Sequence, residues 1–193
     1  MGILNTIKTL FTGNPKSEGI RFEKETKTDS SMFSRVISEC SEAHALLKDA
    51  VSSFKDPVVD KWKLANLAKL QIKLVELKNG LNNLGTENSR ILALANRLSA
   101  KFPDDKAFEK KVRIFKKKLD EKSAAMIGDL SDFLGGYNMS DVATKIRKGE
   151  TPVNYNGVFG KCSTALKNIS AEAEALQASL AKLYALEKKY LSG

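Results

Sequence analysis

The sequence lacks the long apolar runs and the alternating patterns that would indicate membrane spans or β-sheets. No stretch of its 193 residues approaches the roughly 18 consecutive apolar residues of a membrane-spanning helix. No strand-like alternation of apolar and polar residues has a useful length. Only 4 prolines interrupt the chain, which leaves room for long helices. These absences predict no membrane-spanning helix and favour an all-α fold.

Residues that commonly act as nucleophiles or metal ligands are also scarce. The chain has 2 cysteines and 1 histidine. Cys40 and His44 lie one helical turn apart, but a structural zinc site usually needs four ligands, and Cys162 is the one other soft ligand. No phosphate-binding, dinucleotide, zinc-protease or esterase motif is present. We interpret the cysteines as buried apolar residues and His44 as a residue at the edge of the core, and we expect no enzymatic activity, cofactor or metal.

The apolar residues that are present recur at steps of three and four, the period of an amphipathic helix. The second of the helical segments contains six leucines, Leu67 to Leu84, in the strict 3-4-3-4-3 series of a heptad seam. Because Gly80 and Gly85 fall within that segment, it is either one long helix, which the unbroken phase favours, or two helices broken near 82–89. The pattern predicts an all-α, antiparallel bundle of long helices with coiled-coil-like heptad seams. Its helices are expected over about 31–55, 57–102, 104–133, 140–148 and 159–191. Asp104 or Asp105 can cap the third of these helices, and Ser140 can cap the fourth.

The amino-terminal part of the chain differs from this bundle pattern. Residues 1–13 fit a short amphipathic helix, because their apolar side chains fall within an arc of roughly 120° on a helical wheel. Residues 14–30 are charged and polar, and we expect them to form a flexible linker before a bundle domain over 31–193. The apolar arc of the first segment consists of Ile3, Leu4, Ile7, Leu10 and Phe11.

Residues 1–13 are a poor match to a signal peptide, because no basic residues precede the apolar ones. Two other interpretations of this segment remain open. The segment either packs on the bundle or inserts its apolar arc among lipid headgroups. Its first residues also match the pattern for N-myristoylation, which makes Gly2 a candidate lipidation site.

The net charge of +9 is concentrated in the middle of the chain, where residues 61–122 hold 16 basic and 7 acidic residues. A localised positive field indicates an anionic partner. The alternative is an ordinary solvated helix face, for which lysine is a common residue. We predict that the basic helix after Pro103 binds an anionic surface through Lys106, Lys110, Lys111, Arg113, Lys116, Lys117 and Lys118.

Together these features predict a cytoplasmic, non-enzymatic helical scaffold, peripheral to a membrane and forming homo-oligomers through its apolar seams. Nucleic-acid binding by the basic helices is the second hypothesis, although few aromatic residues lie among the lysines. A third is an assembly subunit of a filament or a virion. We infer no small-molecule substrate, and the connection over 135–160 is interpreted as a plain crossover between helices.

Overall fold

The computed structural model describes residues 15–53, 61–101, 103–148 and 155–191. These ranges contain helices and short turns, with no strand among them, which confirms the predicted all-α bundle. The described residues form α1 (Pro15–Ser53), α2 (Lys61–Lys101), α3 (Lys106–Gly136), α4 (Met139–Arg147) and α5 (Tyr155–Leu191).

The four long helices run antiparallel to their neighbours in a closed ring. α2 and α5 each pack against both α1 and α3, and the short α4 lies on α2. The direction of α5 relative to α1 follows from hydrogen bonds at two levels: Gln177 Nε2 donates to Ser34 Oγ at 2.7 Å, and Tyr184 Oη donates to Glu23 Oε1 at 2.8 Å. Because α1 and α3 are both antiparallel to α2, they run parallel to each other on opposite corners of the ring.

The core is a mainly apolar column supplied by the inward seams of the four long helices. All six leucines of the predicted heptad series are buried, at 0–1% exposure. Burying a leucine side chain contributes about 1.5–3 kcal/mol, so this seam is the main stabilising feature of α2. The seam extends the same phase through Ile91 and Ala95, which are also fully buried.

The predicted segment 57–102 is one helix over the residues described, not two. α2 continues from Lys61 to Lys101 through Gly80 and Gly85. Each glycine costs about 1 kcal/mol in a helix, and this cost is offset because Leu81 and Leu84, which lie between the two glycines, remain in the core. Residues 57–60 and 102 lie outside the described residues.

The expectation of a flexible linker over 14–30 is wrong for residues 15–30, which form the first turns of α1. Phe22 is fully buried there, and the inward positions continue at alternating steps of four and three through Thr26, Asp29 and Phe33. Because two of these four inward residues are polar, the apolar periodicity fades in the sequence although the helix and its packing continue. Residue 14 and the predicted helix over 1–13 lie outside the described residues.

The short helix begins two residues earlier than a cap at Ser140 predicts. Asn138 is its N-cap, and the side-chain oxygen accepts hydrogen bonds from the backbone amides of Ser140 and Asp141 at 2.9 and 3.3 Å. The amide of Met139 donates to Gln71 Oε1 of α2 at 2.9 Å, and the Met139 side chain is fully buried. These contacts hold α4 against α2 and make the first part of the predicted crossover an ordered element.

One level of the core is polar. Asn88 occupies a seam position of α2 and is fully buried, and neither its Oδ1 nor its Nδ2 has a hydrogen-bond partner among the described residues. The ion pair between Lys73 and Glu42 shows which residues of the antiparallel α1 and α2 lie at the same level. Since both helices rise about 1.5 Å per residue, Asn88 lies near the level of Thr26 and Asp29. A buried amide without partners reduces stability.

Replacing Asn88 with leucine is therefore expected to stabilise the bundle. The substitution Asn88→Leu removes the desolvation penalty of the amide and extends the apolar seam, so we expect the free energy of unfolding to rise by about 1–3 kcal/mol. Urea denaturation followed by circular dichroism measures this. The matched control is Asn83→Leu on the exposed face of the same helix, with a change within about 0.5 kcal/mol. A destabilising effect of Asn88→Leu would show that the amide has partners in solution.

Candidate anionic-surface interface

The amino-terminal half of α3 presents the predicted basic residues to solvent. Its inward row is fixed by Phe108, Val112, Phe115 and Leu119, all at most 4% exposed. Asp105 caps the helix by accepting a hydrogen bond from the Phe108 amide at 2.9 Å, as the sequence predicted for Asp104 or Asp105. With the inward row fixed, the rest of the circumference is exposed, and it includes every residue of the predicted set. We call this set the basic face: Lys106, Lys110, Lys111, Arg113, Lys116, Lys117 and Lys118.

The basic face is almost uncompensated by acidic side chains. Among the described residues its one ion pair is that between Lys117 and Glu121, at 3.7 Å. Between positions 110 and 118 there is no acidic residue. An exposed pair of this length contributes little, because solvent and salt screen it. The positive charges of the basic face therefore add to one local field.

Two other lysines of the bundle are held differently. Lys73 bridges α2 to α1 through Glu42 at 3.1 Å and also contacts Glu76 at 3.2 Å. These carboxylates raise the pKa of Lys73, and the lysine lowers the pKa of Glu42 in turn. Lys122, which begins the turn after the basic face, pairs with Glu172 of α5. Such lysines join helices together, whereas those of the basic face do not.

An apolar residue that the sequence did not assign to the interface lies within the basic face. Ile114 is 45% exposed. The residues three and four positions away on either side, its neighbours on a helix surface, are Lys110, Lys111, Lys117 and Lys118. The signal that identifies Ile114 is its offset by one residue from the buried Phe115, which places it outside the inward row. In the sequence alone, adjacent apolar residues both fit a broad seam.

A polar groove runs along one edge of the basic face, between α2 and α3. It has a volume of about 460 Å³ and is lined by Asn96 and Ser99 of α2 and by Glu109, Arg113 and Lys116 of α3. Ser99 Oγ is buried and has no hydrogen-bond partner among the described residues. The groove shows that part of the basic face is concave, with hydrogen-bonding groups beside the cations.

The basic face and the beginning of α1 lie at the same end of the bundle. This follows from the parallel orientation of α1 and α3, whose amino termini are Pro15 and Lys106. The candidate insertion residues and the lipidation site precede Pro15 and lie outside the described residues: Gly2, Ile3, Leu4, Ile7, Leu10 and Phe11. The chain that carries them therefore joins the bundle at the end where the basic face is found.

The cysteines and the histidine are not brought together in a reactive cluster. Cys40 and His44 line a small groove of about 330 Å³ between α1 and α5, with Ser170 opposite. Burial raises the pKa of the Cys40 thiol to about 12, with a smaller contribution from Glu39, and burial alone raises the pKa of Cys162 to about 12. Within the described ranges, no group of three or more histidine, cysteine, aspartate or glutamate side chains is placed to hold a metal ion.

Both thiols are expected to be unreactive in the folded protein. Since their pKa values lie far above neutrality, the nucleophilic thiolate is scarce at pH 8, and both side chains are at most 2% exposed. A thiol reagent such as DTNB should modify the native protein slowly and the urea-unfolded protein rapidly. The raised folded-state pKa values also contribute stability that is fully present below the ordinary thiol pKa and is lost as the pH rises toward about 12. Rapid stoichiometric modification of the native protein would contradict this prediction.

A third groove lies at the opposite end of the bundle, between α3 and α5, with a volume of about 560 Å³. Lys161 Nζ donates to Tyr137 Oη at 3.1 Å at one end of the groove, and Asn168 Nδ2 donates to Asp129 Oδ2 at 3.2 Å toward the other. Phe133 forms part of its lining. These contacts join α3 to α5 and belong to the packing of the bundle.

Comparisons with models of protein families, with curated proteins and with solved structures find no match to this chain. Over the described ranges, none of the helices combines the length and the apolar character needed to cross a membrane. The function is therefore inferred from the residues of the chain itself.

Proposed function

We propose that the protein is a non-enzymatic helical scaffold that binds an anionic membrane surface from the cytoplasmic side. The single observation that supports this most is the basic face of α3: seven exposed cations with one long ion pair among the described residues. A soluble helix needs charged residues on its outer face, but it does not need charges of one sign. Like charges three and four residues apart destabilise a helix by a few tenths of a kcal/mol per pair. A partner that neutralises them removes this cost.

The magnitude of the attraction fits a peripheral interaction. Each lysine or arginine near an anionic leaflet contributes about 1 kcal/mol, and the contribution falls off within a Debye length of about 8 Å at physiological ionic strength. Only the residues that face the surface together contribute fully. The basic face spans the segment from Lys106 to Lys118, about 18 Å of helix at 1.5 Å per residue. A rigid helix of that length lying along the leaflet brings most of its charges within this distance.

The amino-terminal segment supplies the second part of the proposal. Electrostatic attraction alone is reversible and sensitive to salt, and two weak signals together give stable binding. The apolar arc from Ile3 to Phe11 is a candidate for the second signal, and the described part of the chain begins, at Pro15, at the end of the bundle that carries the basic face. Lipidation of Gly2 would strengthen this signal in a cell that performs the modification.

Reversing charge on the basic face tests the electrostatic part. The variant Lys110→Glu, Lys111→Glu and Lys118→Glu should bind vesicles containing phosphatidylserine at least about 100-fold more weakly than the wild type, because the loss of three attractive charges costs about 1 kcal/mol each and the new glutamates add repulsion. Co-sedimentation measures the partition coefficient. The matched control reverses three exposed lysines on other helices, Lys48, Lys167 and Lys182, with the same change in net charge. Equal losses in both variants would show that net charge, not the basic face, is responsible.

Substitutions in the full-length chain test the amino-terminal part. The variant Ile7→Asp and Leu10→Asp places charge in the apolar arc and is expected to weaken vesicle binding about tenfold or more. The control variant Thr6→Asp and Thr9→Asp adds the same charge on the polar side of the predicted helix. If both variants bind as the wild type does, the apolar arc takes no part in membrane binding.

Nucleic-acid binding uses the same basic face and is separated by the same variants. A nucleic acid would release counterions and give a steep linear dependence of log affinity on log salt. Binding to a nucleic acid would respond to the aspartate substitutions at Ile7 and Leu10 only through their effect on charge. Self-association and assembly stay predictions, and light scattering over a range of concentrations measures them.

A further inference from the structure

The four large exposed apolar side chains of the described residues have different surroundings. Around Ile72 the residues at three and four positions are Ala68, Lys69, Val75 and Glu76, and Val75 shares that face. Around Ile20 they include acidic Glu23 as well as lysines. Only Ile114 has lysine at all four positions. An isolated exposed isoleucine needs no explanation, but one enclosed by cations does.

The rim of lysines makes Ile114 expensive to cover with most partners. An ordinary apolar protein partner would have to desolvate four ammonium groups to reach the side chain. A nucleic acid would neutralise the ammonium groups but offer its phosphates, not an apolar surface, to the isoleucine. A lipid leaflet offers both anionic groups for the lysines and an apolar layer for the isoleucine. Its phosphates and carboxylates lie at the level of the headgroups, and its acyl chains lie beneath them. Lysine stems can extend along the apolar layer while their ammonium groups stay with the headgroups.

We infer that Ile114 is a membrane-inserting residue, which enters the upper acyl region of an anionic leaflet while Lys110, Lys111, Lys117 and Lys118 bind the surrounding headgroups. This inference rests on the proposed function and adds a specific contact to it.

The bundle presents Ile114 without any rearrangement. Phe115, the next residue, is 2% exposed and holds α3 to the core, and Val112 does the same one turn earlier. The side chain of Ile114 is therefore displayed by a helix that stays packed, unlike a helix that must fold on the membrane. Salt should weaken the lysine contacts but not the apolar contact, so insertion predicts a salt-resistant component of binding.

A fluorescent probe at position 114 tests the inference directly. The variant Ile114→Cys is labelled with an environment-sensitive dye such as NBD in the otherwise native chain, because Cys40 and Cys162 are buried and the burial raises the pKa of each thiol to about 12. The matched control is Ile72→Cys, at another exposed isoleucine. On phosphatidylserine vesicles, NBD at 114 should shift to the blue and be quenched by lipids brominated on their acyl chains, and NBD at 72 should do neither.

Substitution of the side chain gives a second, independent measurement. Ile114→Ser should lower the partition coefficient about tenfold at physiological salt, and Ile114→Leu should retain it. Unchanged thermal unfolding of both variants shows that the effect is not structural.

The outcomes separate this inference from the proposed function. If the wild type binds anionic vesicles but the probe at 114 shows no shift and Ile114→Ser binds normally, insertion is overturned and the electrostatic proposal stands. If the wild type does not bind anionic vesicles at all, both are overturned. A probe response to duplex DNA in place of vesicles also overturns the inference.

Discussion

Burial of the apolar seam of α2 is the constraint on which the rest of the structure depends. This helix contacts α1, α3 and α4, and its leucines at alternating steps of three and four meet the inward rows of those helices. Each buried leucine contributes about 1.5–3 kcal/mol. The register that the seam imposes decides which side of every other helix faces inward. Burial of the seam keeps α2 helical at Gly80 and Gly85, and the packing against it determines which face of α3 points outward.

The strength of this seam explains how the basic face is tolerated. Like charges are neighbours along the surface of this helix, because steps of four and three separate Lys106, Lys110, Arg113 and Lys117. An isolated helix with this surface would be weakened by repulsion. Here Phe108, Val112, Phe115 and Leu119 anchor the same turns in the core. The outer surface of α3 is therefore free to carry charges that folding does not require.

The core is least apolar in the half of the bundle that carries the basic face. Thr26, Asp29 and Asn88 replace apolar residues at inward positions near one level, whereas the seams nearer the other end are almost wholly apolar. Polar seam residues lower local stability and also fix the register of neighbouring helices. The same substitution of polar for apolar residues explains why residues 15–30 have the sequence pattern of a linker. Their helix depends on contacts with α2 and α5, which local periodicity does not reveal.

By itself, the sequence determined the helical class, the leucine seam of α2, a cap at Asp104 or Asp105 and the membership of the basic face. These follow from local rules of periodicity, capping and charge, which depend on residues close together in the chain. Only the tertiary structure decided that α1 begins at Pro15, that Asn88 is enclosed in the core and that Ile114 is exposed among four lysines. Each of these depends on which neighbouring helix covers a given position. The mutual packing of four seams decides which helix covers which position. Adjacent residues such as Ile114 and Phe115 have opposite environments because the neighbouring helices fix the rotation of α3 about its axis.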